Sequence, residues 1–151
     1  MKNKLIFFHL LNNYSGSPRV LADVISVTKD KYDVTLITSA TDGFLSDLKI
    51  KLHLFSYDWN KNRLITLLRL IYAQLVFVFF AIKYGNKNTI FYINTMQPSI
   101  AGLLGKLFGA SVVFHIHETS SSQKYFGRFY KIIRKYVKGS EIFVSKYIYE
   151  K

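Results

Sequence analysis

Three groups of residues have the types and spacings for chemistry. Ser15-Gly16-Ser17 stands directly before Pro18. A small-residue turn opening a helix presents backbone N–H groups on a positive dipole end, which suits an anion such as a pyrophosphate. The same letters would also serve as an ordinary turn and cap. In His115-Ile116-His117-Glu118, the alternation of a strand puts the two histidines on one face and Glu118 on the other. His115 is expected to be a hydrogen-bonded core residue. His117 and Glu118 fall at the strand's carboxyl end, and His117 is the stronger functional candidate. A metal would need a third ligand, such as His9, and a His pair inside one strand is a weak metal signature; no metal is assigned. The third group is Lys124, Arg128, Lys131, Lys135 and Lys138. Their 4,3,4,3 spacing confines them to a sector of roughly 80° on a helix, with Phe126, Phe129, Ile133 and Tyr136 expected opposite. A basic amphipathic helix of this kind suits anionic lipid headgroups, although a solvated face over a core-facing stripe would read alike.

Composition narrows the partners. The 151 residues fit one domain, 1–151, and half of them are apolar, enough to bury a core. There is no cysteine, which excludes disulfides, thiolate zinc and a cysteine nucleophile. The net charge of +12 favours anionic partners. No G-x-G-x-x-G and no G-x-x-x-x-G-K-[ST] occurs, which weakens dinucleotide and ATP readings, and no cofactor is expected. No nucleic-acid-reading motif is present, so nucleic acid is not an expected partner.

These residues must be positioned by regular elements. Lys4–Leu10 reads as a buried strand, and its short apolar run without a cleavage site argues against a signal peptide. A helix is expected over Pro18–Lys29, with Ser17 as N-cap and a stripe of Val20, Val24 and Val27. Tyr32–Thr38 is strand-like, and the alternating Lys49–Tyr57 suits a sheet edge. The long apolar segment Lys61–Tyr84 contains Leu64–Ile82, close to a bilayer span in length. Thr66, Arg69 and Gln74 interrupt it, so a helix packed on a sheet is expected, with Phe77, Phe79 and Phe80 buried or touching lipid. Strands at Thr89–Ile93, Ser111–Ile116 and Glu141–Val144 alternate with helices at Pro98–Phe108 and Gln123–Lys138. The expected fold class is therefore α/β, a doubly wound parallel sheet of Rossmann-like kind. Ligands then bind beyond the carboxyl ends of the strands, which places Asn94, Glu118 and Ser145 at a cleft beside His117.

The order of these signals resembles the N-terminal half of a family 4 retaining glycosyltransferase of GT-B architecture. Ser15-Gly16-Ser17-Pro18-Arg19-Val20-Leu21 is similar to that family's G-G-A-E-R-V-L loop and helix start. Val112–Glu118 resembles its apolar strand ending in His-Asp or His-Glu, and Ser140–Ser145 resembles its later strand ending in serine. The resemblance implies that Ser15, Gly16 and Ser17 approach a nucleotide sugar's diphosphate and that His117 faces the reacting sugar. It implies a glycan or lipid-linked acceptor, and a basic helix docked on the membrane. Ser15 departs from the family's first glycine. The E-x₇-E motif of the donor-binding C-terminal domain does not occur, because Glu118, Glu141 and Glu150 are the only glutamates.

The expectation is thus an acceptor-side glycosyltransferase domain, inactive without a C-terminal domain or partner subunit. It would work in bacterial surface polysaccharide synthesis, cytoplasmic and peripheral on the inner membrane face. The alternative is a non-catalytic, membrane-docking α/β module that binds a phosphorylated ligand or a protein partner.

Overall fold

The structure is a computed structural model that describes residues 2–117 and 127–146. Six strands form one sheet: β1 (Lys4–Phe8), β2 (Asp33–Ser39), β3 (Lys51–Phe55), β4 (Thr89–Asn94), β5 (Ser111–Ile116) and β6 (Ser140–Phe143). Their order is β3-β2-β1-β4-β5-β6, and every neighbouring pair is parallel. This is the doubly wound α/β arrangement, in which the chain starts at the centre and winds outward both ways. The alternating segment is β3, at one edge, as its half-polar pattern requires.

Among the described residues four helices cover the sheet: α1 (Gly16–Thr28), α2 (Arg63–Tyr84), α3 (Ser99–Leu107) and α4 (Gly127–Val137). Right-handed crossovers put α1 on one face and the other three on the opposite face. Two cores follow from the strand alternation. Leu5, Phe7 and Leu36 pack with Leu21 and Ile25 of α1. Ile6, Phe8 and Phe91 pack with Ala73 and Phe77 of α2, Ala101 of α3 and Tyr130 of α4. Gly102 and Gly105 lie on α3 because a Cβ there would collide with the Phe114 and Phe91 rings.

Three helices differ from the sequence reading. The first begins at Gly16 with Ser15 at the N-cap, and its buried residues are Pro18, Leu21 and Ile25 rather than the valine stripe. Leu21 and Ile25 are larger than the valines, and turning them inward leaves Val27 69% exposed. Pro18 is still tolerated, because the N–H groups of the first turn have no intrahelical partner. In α2 the Asn62 side chain accepts from Leu64 and Ile65 N–H, and only Ala73, Phe77, Ala81 and Tyr84 are buried. Phe77 meets Phe8 and Phe55 edge-on, whereas Phe79 faces outward. On α4 the inward residues are Tyr130, Ile133 and Val137. Phe129 and Tyr136, expected opposite the cations, are exposed beside them.

Candidate functional site

The carboxyl ends of β1, β4 and β5 bring His9, Asn94 and His117 together. Asn94 ends β4, is fully buried, and stands between the two imidazoles. Its Nδ2 lies 3.0 Å from His9 Nδ1 and 3.4 Å from the Ser17 carbonyl oxygen. Its Oδ1 lies 3.0 Å from His117 Nε2. Two backbone carbonyls fix the direction of every bond in this chain. A carbonyl oxygen only accepts, so the Ser17 carbonyl requires the Asn94 amide NH₂ on that side, donating also to His9 Nδ1. His9 Nε2 therefore carries the proton and donates to the Leu11 carbonyl at 2.9 Å. On the other side Asn94 Oδ1 must accept, so His117 is protonated at Nε2 and keeps Nδ1 as an unprotonated nitrogen.

Both rings are neutral, as this pattern demands. Burial pushes His9 down to about 4. Burial, with smaller contributions from nearby His115 and His9, pushes His117 down to about 4. The His115 ring lies 4.3 Å from that of His117, tilted by 47°, and bonds through Nδ1 to the Tyr92 hydroxyl at 2.8 Å. Burial raises that phenol to about 12, so it stays protonated.

A cavity of about 260 Å³ opens against His9, lined by Leu11, Asn13, Ser15, Ser17, Tyr57, Thr95 and Gln97 among others. Its wall mixes polar and apolar surface and carries no formal charge, a lining that suits a neutral, hydroxylated ligand. Thr95 has φ +70°, a left-handed conformation that a β-branched residue rarely adopts. Its hydroxyl is buried without a hydrogen-bond partner among the described residues. Gly16 opens α1 beside Ser15 and Ser17, and a Cβ there would meet nothing within 4 Å, so packing does not require this glycine. No side chain caps the helix at Ser15, which leaves its first turn facing outward.

The sequence candidates divide accordingly. Ser15 and Ser17 line the cavity; Gly16, Asn94 and His117 do not, and His117 is tied to the wall residue His9 through Asn94. Ser145 is exposed two residues past β6, the edge strand that pairs with β5, and does not line this cavity. Glu118 and Lys124 lie outside the described residues. Arg128, Lys131, Lys135 and Lys138 are exposed on or just after α4, away from the cavity. Sequence reasoning missed Thr95 and Tyr57. Both follow strand ends, where the ligand rule pointed, but neither letter signals a ligand by itself.

Neither a protein-family model nor a curated protein matches the sequence. Solved structures do. Anabaena HepE, crystallised in complex with UDP and glucose, superposes with a TM-score of 0.60 at 16% identity over 93% of this chain and 37% of that one. The chain has a glycosyltransferase-like fold. The glycotransferase of kitacinnamycin gives a TM-score of 0.56 at 8% identity, covering 89% of this chain and 35% of that one. The chain thus spans little more than a third of the length of either neighbour.

Proposed function

We propose that residues 1–151 form the acceptor-side, N-terminal domain of a family 4 retaining GT-B glycosyltransferase, acting on a nucleotide sugar together with a C-terminal donor-binding domain or partner subunit. The observation that carries the reading is the uncharged cavity of mixed polarity at the strand ends, backed by the His9–Asn94–His117 bridge. The fold of the two transferase neighbours supports it.

The roles follow from the chemistry of each group. Ser15, Gly16 and Ser17 offer the N-terminal dipole of α1 to the donor's diphosphate. His117 presents Nδ1 as an acceptor toward a sugar hydroxyl, its ring orientation set by Asn94. Neutral imidazole at pH 7 suits that task, since an imidazolium would have no acceptor. The reaction moves a glycosyl group from diphosphate to an acceptor hydroxyl and asks for no cofactor. The acceptor is a glycan or lipid-linked sugar of a surface polysaccharide. The chain works from the cytoplasmic side of the membrane, recruited by Lys124, Arg128, Lys131, Lys135 and Lys138 to anionic headgroups.

The test is sugar transfer by this chain joined to a donor-binding domain. Gly16→Phe and His117→Ala should each lower turnover about 100-fold or more, as expected for groups that position or stabilise reacting atoms. Turnover retained by both variants would refute the site.

A further inference from the structure

The helix layer formed by α2, α3 and α4 has an outer face that its own fold does not cover. On α2, Leu64, Leu68, Ile71, Leu75, Phe79 and Ile82 follow a 4,3,4,4,3 spacing, and all are exposed, Leu75 by 63% and Phe79 by 59%. They make a ridge about 27 Å long on a 22-residue helix. The helix is long and apolar enough to cross a membrane by length and composition. Its opposite side is fastened to the sheet through Phe77 and Ala73, so in this fold it lies flat. A groove lined by Leu67, Leu70, Ile71, Gln74, Phe129 and Tyr130 joins α2 to α4. There the apolar surface continues through Phe129, Ile132 and Tyr136, with Ile132 67% exposed.

Charge tells which partner covers this face. None of the three helices contains an Asp or Glu, although the chain has nine. Arg63, Lys83, Lys106, Arg128, Lys131 and Lys135 are exposed on them. A second copy seated here by two-fold symmetry would set cations against cations. An apolar ridge on helices that carry cations and no carboxylate complements an anionic leaflet, with acyl chains under a negative headgroup plane.

We propose that this outer face docks flat on an anionic bilayer, the α2 ridge entering the boundary between headgroups and acyl chains while the α3 and α4 cations stay among the headgroups. This deepens the membrane part of the function proposed above, extending lipid contact from the α4 cations to α2, and it does not depend on sugar transfer.

The absence of cysteine makes single labelling sites available. Leu75→Cys on α2, Ile132→Cys on α4 and Val27→Cys on the opposite face would each carry an environment-sensitive fluorophore. With phosphatidylcholine vesicles containing phosphatidylglycerol, the labels at 75 and 132 should shift to the blue and be quenched by lipid-borne quenchers, and the label at 27 should not. Leu68→Ser, Leu75→Ser and Phe79→Ser combined should lower vesicle partitioning about 100-fold or more at unchanged net charge. Arg128→Glu, Lys131→Glu and Lys135→Glu combined should abolish the preference over pure phosphatidylcholine. Circular dichroism would confirm that each variant is folded. A response at 132 without one at 75 would overturn the ridge insertion and leave docking by cations alone. A response at 75 without vesicles, in a chain that sediments as a dimer, would assign the face to a second copy. Absence of vesicle binding would overturn the proposal outright. A chain that docks as described but supports no sugar transfer would refute the catalytic reading alone.

Discussion

The buried bridge of Asn94 between two histidines makes stability depend on pH in a defined direction. His9 is held at about 4 in the folded protein against about 6.5 in an unfolded chain. Between these values the unfolded chain binds a proton that the folded one refuses, so acid favours unfolding. The contribution is complete above pH 6.5, declines as pH falls toward 4, and is gone below it. At 1.36 kcal/mol per unit, a difference of about 2.5 units comes to about 3 kcal/mol from His9. His117 is lowered for the same chief reason, burial, and adds in the same direction; its partial exposure makes its share smaller. Urea unfolding followed by circular dichroism near pH 7 and near pH 4.5 measures the loss. His9→Phe should be less stable near pH 7 but should lose less on acidification. Asn94→Asp puts an acceptor opposite His9 Nδ1, which must then carry a proton, so its acid loss should shrink or reverse. Asn94→Leu leaves a buried acceptor on His9 and a donor on His117 unpaired, costing about 3 kcal/mol near pH 7. Equal stability of the natural protein at both pH values, or an acid loss unchanged in His9→Phe, would refute the assigned protonation pattern.

Two further outcomes follow from packing and backbone geometry. Gly105→Val should destabilise by about 2 kcal/mol or more, read by urea unfolding, because even a Cβ would press into the Phe91 ring. Thr95→Gly should raise stability by about 1 kcal/mol, read by the same unfolding measurement, by relieving the left-handed backbone.

The order of elements was legible because each strand is a short apolar run and each helix a periodic one, and the alternation of Lys49–Tyr57 correctly marked the β3 edge. Helix phase was less legible. Val20, Val24 and Val27 make as good a stripe as Pro18, Leu21 and Ile25, and only the volume to be filled over β1 and β2 decides between them. The same ambiguity misplaced Phe129 and Tyr136, since an aromatic at the border of a helix stripe turns inward or outward with small rotations. At the site, strand-end logic brought Asn94 and His117 into view. It could not show that one amide ties His117 to His9, because that depends on β1, β4 and β5 lying side by side, 85 residues apart along the chain between His9 and Asn94. The strained Thr95 was invisible in the letters, since positive φ is ordinarily announced by glycine or asparagine.

The central claim is that this chain supplies the acceptor-side half of a sugar transferase. The most direct measurement is transfer of radiolabelled sugar from uridine diphosphate donors to a lipid-linked acceptor, by the chain alone and by the chain joined to a donor-binding domain. The account predicts labelled product from the joined protein and none from the chain alone. A joined protein that folds, binds the donor and still yields no labelled product, or an isolated chain that transfers sugar unaided, would contradict it.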